Sequence, residues 1–193
     1  MLYWDVGILR SIPGITIISP ADSLETVKAL QAAVKSENPS YLRLTGSSNN
    51  PIVYNKDYEF KIGKSITLKE GKDITIFCAG AMVKQCLEAA KILDQKQIYA
   101  KVVNMHTIKP IDKKAVEESC NSKLIISVEE HNIVGGLGSA IAEHKAKLSK
   151  SPKQLFLGVK DIYSKGGSYK FLQEKHRLTS EKIVEDIVLE LGK

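Results

Sequence analysis

One stretch constrains this chain more than any other: SVEEHNIVGGLGSAIAEH, residues 127–144. An apolar run, Leu124-Ile125-Ile126-Ser127-Val128, leads into Glu129-Glu130-His131. Gly135-Gly136-Leu137-Gly138 follows, and then a pattern with helical spacing. A short apolar run that meets polar residues, glycines and a helix is a buried strand, a turn and a helix start. That order belongs to a βα unit, so the rest of the chain is expected to supply further strands and helices around it.

The flanking segments agree. Residues 15–18 form a β-branched run, the signature of a strand. Asp22 is placed to cap a helix, with Glu25 in a box-like position after it. Leu24, Val27, Leu30 and Val34 then form one apolar stripe at helical spacing, expected to face inward. Asn38-Pro39 stops that helix, and residues 41–45 make a second strand. Residues 15–45 are thus one βαβ unit, which implies parallel neighbours. Such a unit cannot bury both faces of its strands, so it reads as the remnant of a larger sheet or as a docking element. Residues 1–14 read as an incomplete beginning, with a short helix over 5–11 and a stop at Pro13-Gly14.

From Gly63 the pattern is denser. Strands are expected at residues 65–68 and 74–78, and the short turn between them, Glu70 to Asp73, implies an antiparallel pair. Met82, Cys86, Ala89, Ala90 and Leu93 share one helical face. Further strands are expected at 100–104, 124–128 and 155–159, with helices after Asp112, from about Ser139 and after Thr179. The alternation predicts a three-layer αβα domain with a mostly parallel sheet. Residues 46–62 read as a connection, whose Tyr54, Tyr58 and Phe60 pack onto something.

Composition narrows the function classes. The 28 Lys and Arg are interleaved with 22 Asp and Glu for a net charge of +6, without the clustered arginine and aromatics of a nucleic-acid reader. No apolar run approaches the ~20 residues of a membrane span, and the N-terminus lacks signal-peptide features. Cys78, Cys86 and Cys120 form no paired framework, which fits reduced thiols. A cytoplasmic protein with no nucleic-acid or membrane partner is expected.

The chemistry-bearing residues leave alternatives open. Gly135, Gly136 and Gly138 could cradle an anion at a helix start, or could simply make a tight turn. Glu129, Glu130 and His131 sit at the carboxyl end of a strand, where open α/β sheets bind ligands. They could do acid–base work, or order the turn, or form a cleft rim or polar interface. His106 closes the preceding strand, and shares that edge in this reading. No His/Cys/Asp spacing indicates zinc, and nothing places Cys78 or Cys120 beside His131 for nucleophilic chemistry.

SIPGITIISPAD, GKDITIFCAGAMV, VVNMHTIKPID and SVEEHNIVGGLGSAIAE, in this order and spacing, resemble the C-terminal section of a transketolase, above all the split type encoded by two genes. Deoxyxylulose-phosphate synthases and the β subunits of 2-oxoacid dehydrogenases are related. The resemblance implies three parts. Residues 1–45 are the tail of a pyrimidine-binding domain, 46–62 an interdomain connection, and 63–193 the C-terminal domain, whose sheet has five strands with the first antiparallel. It implies an enzyme that moves a two-carbon ketol unit between sugars on thiamine diphosphate and Mg²⁺. The sequence has no G-D-G segment for the diphosphate, and the family's cofactor glutamate and substrate histidines fall before Met1.

The expectation is therefore a scaffolding and dimerising chain that is not catalytic alone, binds no cofactor by itself, and works as a homodimer with the diphosphate- and pyrimidine-binding domains, carried by the same gene or a separate subunit. Catalytic, cofactor-binding and metal residues are expected to be none here. Relatives end the strand matching 41–45 with a phosphate-holding arginine; this sequence has Gly46 there, with Arg43 nearby as a substrate-side candidate. The rival reading is a regulatory module that binds an anion or nucleotide at the Gly135–Gly138 turn.

Overall fold

The computed structural model describes residues 3–45, 52–164 and 166–192. Two sheets organise the chain. The larger has five strands in the order β3-β5-β4-β7-β8: β3 (Ile66–Lys69), β5 (Ala100–Asn104), β4 (Ile74–Cys78), β7 (Leu124–Asn132) and β8 (Gln154–Val159). Only β3 runs antiparallel to its neighbour; the other pairings are parallel. On one face α3 (Met82–Gln95) and α7 (Ser180–Leu191) pack over Ile74, Ile76, Val102 and Ile126. On the other, α4 (Lys113–Glu118) and α5 (Leu137–Lys145) pack over Phe77, Val103 and Ile125. These are the three layers that the strand and helix alternation requires.

Every residue of β4 and β7 is buried, because strands covered on both faces have no polar side to expose. The helices between the strands begin and end where local chemistry dictates. Asp112 accepts a hydrogen bond from the Ala115 amide, and Thr179 from that of Lys182, capping α4 and α7. Gly192 closes α7 in the left-handed conformation.

The expected hairpin between β3 and β4 is not formed. β3 pairs with β5 instead, and β4 lies on the far side of β5. The chain crosses the start of β5 at Gly71, where an added Cβ would fall 2.2 Å from the carbonyl carbon of Ala100. A turn of this length normally joins neighbours; here a residue without a side chain lets the backbone pass over the intervening strand.

The second sheet has three strands, β2-β1-β6: β2 (Ser40–Leu42), β1 (Thr16–Ile18) and β6 (Thr107–Lys109). β1 and β2 are parallel, as the βαβ reading requires, but β6 comes from the later part of the chain and pairs antiparallel. The segment after β5, expected only to close that strand at His106, thus completes the earlier sheet. A short helix, α1 (Asp5–Arg10), closes a small core of Val6, Ile17 and Ile108 over it.

The helix of that βαβ unit, α2 (Ser23–Val34), is turned the other way from expectation. Its buried residues are Glu25 and Ala29, whereas Val27 and Leu30 are each 55% exposed and Val34 is 78% exposed. The reason is the Glu25 carboxylate. It accepts from the Ala21 amide, the Asn104 amide and the Tyr58 hydroxyl, at 2.6–3.0 Å. Those partners lie under the helix, and Ala29 allows close approach, so the apolar stripe is left outside. Asp22 caps α2 through the Glu25 amide and also accepts from the Val53 and Tyr54 amides, which ties the connecting segment down.

Candidate functional site

β7 does not stop at Val128. It runs to Asn132, so Glu129, Glu130 and His131 are strand residues rather than turn residues. The register against β8 shifts between Val128 and Asn132, a bulge-type irregularity at the end of the strand. Alternation sends Glu129 and His131 to one face and Glu130 to the other. All three are buried. They lie at an internal joint between the early and late parts of the chain, not on an open cleft rim.

Glu129 occupies the start of α5. Its carboxylate accepts from the Leu137 amide at 2.7 Å and from the Gly138 amide at 2.8 Å. The Gly135 amide donates to Ser139 Oγ at 2.8 Å, and the Gly135 carbonyl accepts from Arg10 at 2.8 Å. The helix N-terminus is therefore a working anion site whose anion is the chain's own carboxylate. Of the two alternatives, a tight turn or a cradle for an external anion, this occupancy favours the turn: the Gly135, Leu137 and Gly138 amides already have acceptors within the chain. Gly136 is where it is because an added Cβ would fall 1.9 Å from Glu129 Oε2 and 2.8 Å from His131 Nδ1. Gly138 faces Ser127 and Phe156 equally closely.

His131 bridges to α1. The Gly7 amide donates to Nε2 at 3.2 Å, so Nδ1 carries the proton and donates to the Asn132 carbonyl at 2.7 Å. The ring is neutral in this arrangement, and burial holds its pKa below the ordinary histidine range. Burial also pushes Glu129 up to about 7, against the pull of its two amide donors.

Arg43 is the other half of the joint. Its Nε donates to Asp5 Oδ2 at 2.9 Å and its Nη2 to the Glu130 carbonyl at 3.0 Å. Tyr41 donates to the same Asp5 oxygen at 2.8 Å. Arg43 and Asp5 side chains are each 10% exposed. Burial raises the Asp5 carboxyl, but Arg43, Tyr41 and His131 outweigh it and leave it below the usual carboxylate range. Glu130 accepts from Tyr169 at 3.4 Å on the opposite face. Burial pushes Glu130 up to about 7, with Arg43 and Tyr169 pulling down. Gly46, the position where the resemblance expects a phosphate-holding arginine, lies outside the described residues.

The raised pKa of Glu130 has a measurable consequence. A carboxyl raised in the fold from its ordinary 4.5 stabilises fully below that value and loses the contribution as pH rises through about 7. The Glu130→Gln variant keeps the shape and the Tyr169 contact without a charge to bury. Its stability relative to wild type should improve by roughly 2–3 kcal/mol between about pH 4.5 and 8 in denaturant titrations. A difference that does not change with pH would show that Glu130 is not held neutral.

His106 is not part of this cluster. It is fully buried, stacks on Phe60 at 4.2 Å and shares a hydrogen bond with Thr107 at 2.9 Å. Burial lowers its pKa to about 4. It neighbours a second polar group that the sequence reading missed: Glu25, Asn104, Tyr54 and Tyr58, with Asn104 donating to the Tyr54 hydroxyl at 2.8 Å. Glu25 was legible only as a capping residue; the signal for its burial, Asn104 at the end of β5, lies 79 residues away.

Two family models match the chain. The family described as "Transketolase, C-terminal domain" matches residues 63–183, and "Transketolase, pyrimidine binding domain" matches residues 2–50. The chain belongs to the transketolase family.

Among its relatives, a "Putative transketolase C-terminal section" of Methanocaldococcus jannaschii is 34% identical over 191 residues, covering 98% of this chain and 60% of the relative. A "6-deoxy-6-sulfo-D-fructose transketolase subunit SqwH" of Clostridium sp. is 38% identical over 181 residues, covering 93% and 56%. The chain thus spans between half and two thirds of these relatives' length. Among solved structures, a "Split gene transketolase, inactive beta4 tetramer" superposes with a TM-score of 0.88 at 35% identity, over 96% of this chain and 60% of that one. The Campylobacter jejuni transketolase, at 23% identity and a TM-score of 0.70, shares the fold. The mixed sheet with one antiparallel strand and the place of this chain within a transketolase-like enzyme agree with the sequence reading.

Proposed function

We propose that this chain is the scaffolding and assembly portion of a thiamine-diphosphate-dependent enzyme that transfers a ketol unit between sugars, and that the cofactor's chemistry is supplied by other domains. Residues 1–45 and 63–193 act in this reading as a pyrimidine-domain tail and a C-terminal domain joined by 46–62. The diphosphate- and pyrimidine-binding parts, in the same gene or a separate subunit, are the partners, and the complete enzyme is a cytoplasmic homodimer.

The observation that carries the reading is the family match combined with the outward stripe of α2. Val27, Leu30 and Val34 leave an apolar face uncovered on the segment that matches the pyrimidine-binding domain. The remainder of that domain is the natural cover.

The described residues do not fit the cofactor themselves. The glycine-rich helix start that could take a diphosphate is filled by Glu129, and no group of three or more His, Cys, Asp or Glu among the described residues could hold a metal ion. Thiamine diphosphate with Mg²⁺ titrated calorimetrically into this chain alone should give no saturable heat, and no ketol transfer should follow. Both should appear on adding the polypeptide that carries the other two domains. Leu30→Glu should block that complementation while leaving the chain's own Tm unchanged, because Leu30 is already half-exposed. Tight cofactor binding and turnover by the chain alone would overturn the reading.

A further inference from the structure

A cleft of about 260 Å³ lies where the end of α1, β6, α4 and α5 converge, away from the α2 stripe. Four basic side chains line it, Arg10, Lys109, Lys113 and Lys147, against one carboxylate, Glu143. Its floor is apolar, from Ile108, Ile111 and Ala140. Charges of one sign gathered in a concave, partly apolar site raise the local concentration of the opposite ion.

The cations are not equivalent. Lys109 donates to the carbonyls of Arg10 and Ile12 at 2.8 and 2.6 Å, so it is held in place by neutral groups that leave its charge uncancelled. Arg10 is fixed from behind by the Gly135 carbonyl, and its side chain is 14% exposed. Its remaining partner is Glu143, 2.6 Å away on a side chain 64% exposed. That carboxylate marks where an anionic oxygen sits against Arg10, and its exposure makes it readily displaced. His144 pairs with Glu117 at 2.9 Å beside it. Among the described residues, Lys113 and Lys147 have no ion-pair partner, and both are exposed at the mouth.

We propose that this cleft binds a small phosphate-bearing anion, with Arg10 and Lys109 as the fixed base, Lys113 and Lys147 closing from the rim, and Glu143 as the internal surrogate that the ligand displaces. Because α1 lies in the early segment and α4 and α5 in the late one, the bound anion would clamp the two parts together. The site does not depend on the transketolase reading.

Inorganic pyrophosphate is the probe. Calorimetric titration in a phosphate-free buffer should show saturable one-to-one binding and a rise in Tm with ligand concentration. Lys113→Met with Lys147→Met should weaken binding at least about tenfold, since each removes a charge-assisted contact. Both residues are exposed, so the fold should be unaffected and the ligand-free Tm unchanged. Glu143→Gln should tighten binding several-fold by removing the competing carboxylate. Lys91→Met on the distant α3 should change nothing. No saturable heat at millimolar pyrophosphate would overturn the proposal. So would equal weakening by Lys91→Met, or a Glu143→Gln variant that binds more weakly than wild type.

Discussion

Gly136→Ala is expected to lower the chain's stability by about 3 kcal/mol or more, which is roughly 6–12 °C in Tm for a chain of this size. A left-handed backbone is not the cause: φ at Gly136 is −86°. The cause is occupancy. The new Cβ would fall 1.9 Å from Glu129 Oε2 and 2.6 Å from its Cδ. Glu129 must then leave the start of α5, and the Leu137 and Gly138 amides lose their acceptor in a buried place. A double-mutant cycle isolates this mechanism. Glu129→Ala alone should cost a similar amount, for the same two orphaned donors. Gly136→Ala added in that background should cost clearly less than it does alone, because the Glu129 clash is gone and only the His131 Nδ1 contact at 2.8 Å remains to be relieved. Additive costs in urea denaturation would mean that the glycine serves something other than the carboxylate.

Arg43→Met is expected to cost about 3–5 kcal/mol, because it leaves the Asp5 carboxylate buried without its cation. Asp5 would retain only the Tyr41 hydroxyl at 2.8 Å, since its Oδ1 has no hydrogen-bond partner. Asp5→Asn with Arg43→Met should recover much of the loss, the charge to be buried having gone. The pH dependence supplies a second check. In wild type, Asp5 is depressed below its ordinary 3.8, so its contribution is present above that value and lost as pH falls through the folded pKa. In the Arg43→Met variant burial dominates and the carboxyl is raised instead. The gap between variant and wild type should therefore narrow as pH falls towards about 4. A gap that stays constant from pH 8 to 4 would show that the loss comes from Arg43 packing rather than from the Asp5 charge.

These two variants act on one joint, and that joint was only half visible beforehand. Glu129, Glu130, His131 and the glycines stood out because polar residues beside an apolar run and a helix start are unusual. What they touch did not stand out, apart from Arg43, which was legible only as a substrate-side candidate. Asp5, Gly7, Arg10 and Arg43 come from the other end of the chain, and no local spacing connects them to residues 129–138. The outward face of α2 was misjudged for the same reason. Periodicity reports that a stripe is apolar, not which neighbour it meets, and a buried Glu25 satisfied by Asn104 rotated the helix.

The sequence by itself determined most of the element types, though not β6 or the helix at Tyr169–Lys175, together with the mostly parallel αβα layering and the family, since these rest on local periodicity, capping residues and motif order. Only the tertiary structure decided strand order at β3, the loan of β6 to the other sheet, and what fills the Gly135–Gly138 turn. Those outcomes depend on contacts between distant residues: Gly71 against Ala100, Ile17 against Lys109, Glu129 against the amides of α5. A helix N-terminus attracts an anion whatever its source. Whether that anion is a ligand or the chain's own carboxylate is decided by which side chain the fold delivers there.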